Sequence, residues 1–148
     1  MAKAKEIIIA IGSNFFQRKN IEYAKMQLYG MLCDDIVFSK DVWTQPIGIN
    51  TDLFLNCICI ATTKHNYNQI QNALKRVEKK CGRSLKNDRM GHIMLDLDIL
   101  KFDGERFHEK DWEREYVSEL IEDINMRIKE QEKEQLYDDK ELYNEKDY

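Results

Sequence analysis

Phe54-Leu55-Asn56-Cys57-Ile58-Cys59-Ile60 is the stretch that decides how this chain folds. Side chains alternate between faces along an extended strand, so Leu55, Cys57 and Cys59 point one way and Phe54, Ile58 and Ile60 the other. Both faces are apolar. A strand of that kind needs cover on both sides, which predicts helices above and below its sheet.

Working outward from this strand, assigned to residues 52–62, the pattern alternates between strand and helix. Residues 6–11 are a β-branched run that reads as a buried central strand, ended by Gly12-Ser13-Asn14. A helix is expected from Asn20 as N-cap, with Ile21, Ala24, Leu28, Met31 and Leu32 on one face. Residues 35–43 read as a second strand, followed by a 44–51 loop holding the only proline, Pro46, and Gly48. Ile70, Ala73, Leu74, Val77 and Cys81 mark a second amphipathic helix closed by Gly82. Residues 83–93 read as a polar, basic loop and 94–102 as a fourth strand, with Asp103-Gly104 as a turn. Val117, Leu120, Ile121, Ile124 and Ile128 outline a third helix. The order β-α-β-β-α-β is that of the split, ferredoxin-like arrangement. With the third helix on the second face, the expected fold is a three-layer α/β/α sandwich of the α/β (α+β) class on a mixed, mainly antiparallel sheet.

A length of 148 residues suits one domain with a core of its own. Residues 129–148 carry eight acidic and four basic side chains and lose the apolar stripe. The domain is therefore expected to span residues 1–128, with 129–148 a charged tail, either a frayed helix or disordered. The net charge of −4 argues against a general nucleic-acid binder or a membrane-surface protein. The chain shows neither a bilayer-length apolar run nor an apolar h-region near Met1. Cys33, Cys57, Cys59 and Cys81 have no zinc or C-x-x-C spacing, and reduced thiols fit a cytoplasmic location. Cys57 and Cys59 read as small buried hydrophobes.

Leu95-Asp96-Leu97-Asp98-Ile99-Leu100 sets two carboxylates two residues apart on one face of an apolar strand. Asp is disfavoured in strands and like charges repel, costs that a shared hard cation such as Mg²⁺ relieves. A half-exposed strand with an acidic polar face is the plain alternative. If Leu95, Leu97 and Ile99 face the first two helices, Asp96 and Asp98 open onto the other face beside Phe54 and Asn56. An aromatic ring and an amide next to a carboxylate pair suit a flat, polar heterocycle. Residues 75–89 hold seven basic and two acidic side chains. Lys79 and Lys80 read as a solvated helix face. Arg83 and Arg89 sit on the segment leading to the Asp pair, and guanidinium groups suit phosphate oxygens. Neither the P-loop nor the kinase Gly-rich pattern is present.

The chain resembles the 6-hydroxymethyl-7,8-dihydropterin pyrophosphokinases, folate-pathway enzymes that move a pyrophosphoryl group from ATP to a pterin alcohol. The matching pieces are Ile9-Ala10-Ile11-Gly12-Ser13-Asn14, Thr44-Gln45-Pro46-Ile47-Gly48 and Phe54-Leu55-Asn56. They continue with Arg76-Val77-Glu78, Gly82-Arg83, Arg89-Met90-Gly91 and Leu95-Asp96-Leu97-Asp98-Ile99. The resemblance implies that Asp96 and Asp98 hold two Mg²⁺ ions bridging the ATP phosphates, with Arg83 as a further catalytic group. It implies that Thr44, Pro46 and Ile47 meet the pterin edge, Phe54 stacks on the ring and Asn56 bonds its amide-like side. Glu78, Arg83, Arg89 and Ile99 then belong to the ATP side. His108 and Arg114 keep the family's H-x5-R spacing as ATP contacts, and Tyr116 stands where an aromatic closes over the pterin.

Departures from the family pattern are specific. Leu85 replaces a second arginine two positions beyond Arg83, Met90 replaces an aromatic, and His92-Ile93 stand where proline and arginine are expected. The segment between Asp98 and His108 is several residues short, and the charged tail replaces the family's C-terminal part. Two readings stay open. One is a cytoplasmic Mg²⁺-ATP-dependent pyrophosphokinase acting on small molecules, with no nucleic-acid or membrane partner. The other is a diverged, non-catalytic homologue that binds nucleotide or pterin as a regulatory module.

Overall fold

Lys5–Ser13 forms β1, the middle strand of a sheet with six strands among the described residues. The computed structural model describes residues 3–32, 35–47 and 52–146. Cys33, Gly48 and the end of the expected 44–51 loop lie outside them. After β1 come α1 (Gln17–Met31), β2 (Val37–Phe38), β3 (Val42–Thr44), β4 (Phe54–Thr63) and α2 (Tyr67–Lys80). The chain continues through α3 (Leu85–Arg89), β5 (Asp96–Phe102), β6 (Glu105–Arg106), α4 (Glu109–Trp112) and α5 (Glu115–Lys146). The strand order is β2-β4-β1-β5-β6, with β3 also on β4, and each pairing is antiparallel. In this register Gly12 lies between Asn56 on β4 and Asp96 on β5. That one line of residues positions the site.

Both sheet faces are covered, as the apolar strand required. On one face Ile21, Ala24 and Leu28 of α1 and Ile70, Leu74 and Val77 of α2 pack on Ile7, Ile9, Ile11, Leu55, Leu95, Leu97 and Ile99. On the other, Val117, Leu120 and Ile124 of α5 close over Ile8, Ile58 and Leu100. Each fully buried aliphatic side chain contributes roughly 1.5–3 kcal/mol relative to leaving it exposed, so the second face is a core in its own right. Cys57 and Cys59 are buried among the aliphatics of the first face. Burial pushes the Cys59 thiol up to about 12, and Cys57 is likewise raised, which leaves both as packing residues.

Local chemistry moves several boundaries. The expected 35–43 strand divides into β2 and β3 at Ser39. The Ser39 N–H donates to Ile58 O at 2.8 Å, but its Oγ accepts from Ile58 N–H at 2.9 Å in place of a backbone carbonyl. The α1 helix starts a turn before Asn20, after Phe16 in a left-handed conformation, φ 47°. Asn20 is a brace rather than the N-cap: its Nδ2 donates to Phe15 O at 2.8 Å. The 83–93 loop contains α3, begun by Ser84, whose Oγ accepts from Asn87 N–H at 3.0 Å. Gly82, at φ +97°, holds the position after the α2 C-cap that a left-handed residue requires. The third helix starts at Glu115 and runs on to Lys146, with residues 129–142 exposed.

Candidate active site

The floor of the site is the end of the sheet that α5 leaves bare. Phe54, Asn56, Asp96 and Asp98 share the face that α5 covers further along, and α5 begins only at Glu115. A cavity of about 210 Å³ opens there. Gly12, Phe54, Asn56, Asp96 and Asp98 form its floor. Thr44, Gln45, Pro46 and Ile47 make one wall, and Asp111, Arg114 and Tyr116 the other. The second wall is anchored through Trp112, whose Nε1 donates to Leu100 O at 3.1 Å and Phe107 O at 3.0 Å.

Electrostatics at the floor are unbalanced. Burial first, and then the neighbouring Asp96, push the Asp98 carboxyl up to about 8, with Asp111 and Glu78 adding to the shift. Burial also raises Glu78, partly offset by the Leu97 N–H, which donates to Glu78 Oε2 at 2.9 Å. Asp96 has one cation close by: Arg83 Nη1 lies 3.3 Å from its Oδ1. That guanidinium is otherwise committed, with Nε donating to Asp88 at 2.9 and 3.1 Å and Nη1 to Leu95 O at 3.0 Å. Burial works against its charge, and Asp96, Asp88 and Glu78 outweigh burial and raise its pKa.

This donor set fits a divalent cation. Among the described residues Asp96 pairs with Arg83, and no lysine or arginine forms an ion pair with Asp98. His108 Nε2 approaches Asp98 Oδ1 to 3.9 Å. Ligand atoms of Asp98, His108 and Asp111 lie within 4.8 Å of one another. Oxygen ligands beside an open cleft are what Mg²⁺ takes when it shares its shell with phosphates and water.

Where the floor meets the wall opposite Tyr116, Asn56 of the floor is buried and its Nδ2 donates to Thr44 Oγ1 of the wall at 2.7 Å. Tyr116 lies with the Arg114 guanidinium 4.6 Å from its ring centre. Burial raises its phenol, with Arg114 pulling the other way.

Thr44, Pro46, Ile47, Phe54, Asn56, Asp96, Asp98, Arg114 and Tyr116 thus come together from four segments of chain. Others assigned from the sequence lie elsewhere. Ile99 is buried in the core on the opposite sheet face, so its side chain does not reach the cleft. Glu78 and Arg83 are half-buried beneath the end of β5, and Arg89 is exposed on α3 away from the cavity lining. Gln45 lies within the 44–47 loop that the resemblance sets against the pterin edge and Gly12 within a matching motif without a role of its own, whereas Asp111 lines the cavity without any assignment from the sequence. Asp111 had a usable signal, because it stands three residues after His108, one helical turn along.

The sequence model for the family described as 7,8-dihydro-6-hydroxymethylpterin-pyrophosphokinase matches residues 8–126, which include every residue of this cavity. Among curated proteins the chain is 29% identical over 130 residues to the folate synthesis bifunctional protein of Arabidopsis thaliana, covering 81% of this chain and 27% of the relative. It is 30% identical over 130 residues to the mitochondrial folate synthesis bifunctional protein of Pisum sativum, covering 81% and 25%. The chain therefore spans about a quarter of the length of these relatives. Among the described residues no helix is long and apolar enough to cross a membrane.

Proposed function

The chain belongs to the 7,8-dihydro-6-hydroxymethylpterin-pyrophosphokinase family, and on that premise we propose that its cleft transfers pyrophosphate from ATP to the hydroxymethyl group of a dihydropterin. The observation that carries this reading is the single row Asn56, Gly12, Asp96 across three strands, which sets an amide and a carboxylate either side of a residue with no side chain. Phe54 and Tyr116 offer aromatic surface to a flat ring, and Asn56 offers an amide to its heteroatoms. Asp96 and Asp98 would hold Mg²⁺, which supplies neutralising charge for the phosphates when bound. The pterin hydroxyl oxygen bonds to the β-phosphorus, the bond from that phosphorus to the α-phosphate oxygen breaks, and AMP leaves. The hydroxyl proton passes to solvent.

Positioning and electrostatics carry most of such a transfer, so the protein's task is to hold the two substrates in line. Among the described residues Arg114 is the cation that lines the cleft, and Arg83 reaches it only beside Asp96. That supply is thin. Arg83 is largely committed to Asp88 and Leu95 O, and positions 85 and 93 are Leu and Ile. This is the observation that supports the second reading, a diverged, non-catalytic homologue that binds nucleotide or pterin as a regulatory module. Incubation with Mg²⁺, ATP and the hydroxymethyl dihydropterin separates the two. AMP with pyrophosphorylated pterin supports transfer. ADP indicates ordinary kinase chemistry, and unchanged nucleotide with saturable pterin binding supports the binding module.

A further inference from the structure

We propose that the Thr44 hydroxyl is a positioning group that locks the Asn56 carboxamide with its oxygen facing the cleft, so that the site selects ligands presenting an N–H there. The part that concerns ligands rests on the reading of this cleft as a heterocycle site. The lock itself rests on geometry alone.

Asn56 is 7% exposed, so both ends of its amide must be satisfied or aimed into the cavity. Its Nδ2 donates to Thr44 Oγ1 at 2.7 Å and lies 3.5 Å from Phe54 O. Those two contacts occupy the donor end. Oδ1 is left on the side of Gly12, 3.1 Å from where a Cβ at that position would stand. Turning the amide over would set Oδ1 against the Phe54 carbonyl, acceptor on acceptor, which the backbone cannot relieve. The hydroxyl therefore acts as the acceptor for Nδ2, and the exposed valence of Asn56 is an acceptor too. Thr44 is set for this role because β3 pairs it with Phe54, two residues from Asn56 and on the same sheet face. Gly12 completes the arrangement by leaving the space that Oδ1 faces. A ring edge carrying an amino group or ring N–H gains a hydrogen bond, and one carrying an acceptor meets repulsion.

Thr44→Val keeps the bulk and β-branching and removes the hydroxyl, and with it the acceptor for Asn56 Nδ2. Calorimetry on the full chain would compare 6-hydroxymethylpterin with its 2-methoxy analogue, which replaces the amino donors with an acceptor. The parent is expected to prefer the amino compound by about tenfold, the factor that one good hydrogen bond makes. Thr44→Val should reduce that preference to about threefold or less, Thr44→Ser should restore it, and Mg²⁺-ATP affinity should stay constant in all three. An unchanged preference in Thr44→Val, or a parallel loss of ATP affinity, overturns the assignment. A readout without ligand keeps it testable if the parent binds neither pterin. In ¹⁵N spectra of the ligand-free protein, the Asn56 side-chain amide protons should exchange slowly and should speed up at least about tenfold in Thr44→Val. If exchange is the same in both, the lock does not exist, whatever the cleft binds. If exchange responds but no pterin binds, the lock stands and the proposed function fails.

Discussion

Asn14 holds Ile93 from both sides: Asn14 N–H donates to Ile93 O at 3.0 Å, and Ile93 N–H donates to Asn14 Oδ1 at 2.6 Å. Asn14 Nδ2 also donates to Gly91 O at 2.9 Å, and the neighbouring Phe15 ring stacks on His92 at 4.0 Å between centres. The end of β1 thereby fixes the segment that enters β5, and with it the approach to Asp96 and Asp98. A buried Asn at the end of a strand is a costly choice unless its amide is used. Here both ends of the amide are used on backbone 77 and 79 residues away.

Asn14→Ala should consequently cost stability as well as function. It removes two side-chain bonds and leaves backbone groups of Gly91 and Ile93 to find water, about 2–3 kcal/mol in total. For a domain of this size that is a fall in Tm of about 4–12 °C. Thermal unfolding and nucleotide titration check it together. An unchanged Tm would mean that water replaces the amide without loss and that the segment is not held by Asn14.

The Asp98 carboxyl predicts a pH dependence for the metal-free protein. Its pKa is about 8 in the fold against an ordinary value of 3.8, so the folded state binds the extra proton. Stability from this group is full below about pH 4 and is lost as pH rises through about 8. With a chelator present, Tm should fall across that window, and Asp98→Asn should flatten the fall while abolishing Mg²⁺-dependent nucleotide binding. Asp96→Asn should likewise weaken Mg²⁺-nucleotide binding. If Asp98→Asn and the parent show the same Tm profile from pH 5 to 9, the carboxyl is not under the burial and repulsion described.

The face shared by Phe54, Asn56, Asp96 and Asp98 could be read from the sequence because strand periodicity is two and admits no other sorting once Leu95, Leu97 and Ile99 are placed in the core. Cover on both faces followed from the apolar 54–60 run by the same rule. What escaped depends on side chains replacing backbone. Ser39 ends a strand by lending its hydroxyl to Ile58 N–H, and Asn20 braces Phe15 from inside a helix it resembles the cap of. The short α3 was hidden by its charge, although Ser84 is an ordinary N-cap. The resemblance assigns Ile99 to the nucleotide side, while strand periodicity puts its side chain in the core, where the structure has it.

The domain boundary proposed at residue 128 rests on burial. Val117, Leu120 and Ile124 are buried and Ile128 is half-buried, whereas α5 is exposed from Lys129 to Leu142. Exposed helix of this length is marginal in water and adds little to the fold. A chain ending at Ile128 should keep its Tm within about 3 °C while losing helical signal at 222 nm. A fall of about 10 °C or more would show that residues beyond 128 pack on the domain.

Slow turnover, if found, has a physical cause that can be reversed. Arg83 is shared among Asp88, Leu95 O and Asp96, so little of its charge is left for phosphates. Leu85 opens α3 and is 74% exposed, so arginine there disturbs no packing. Ile93 is half-buried with its backbone held by Asn14, and an arginine stem can follow its path while the guanidinium reaches water or ligand. Ile93→Arg, alone or with Leu85→Arg, should raise AMP formation at saturating substrate by up to about tenfold for each 1.4 kcal/mol of transition-state stabilisation recovered. The effect should appear in kcat, because the added charge meets the phosphates most strongly as the bond to the leaving AMP lengthens. A double variant that folds, binds both substrates and makes no more AMP than the parent rules out missing cations as the defect. The binding-module reading would then be the stronger of the two.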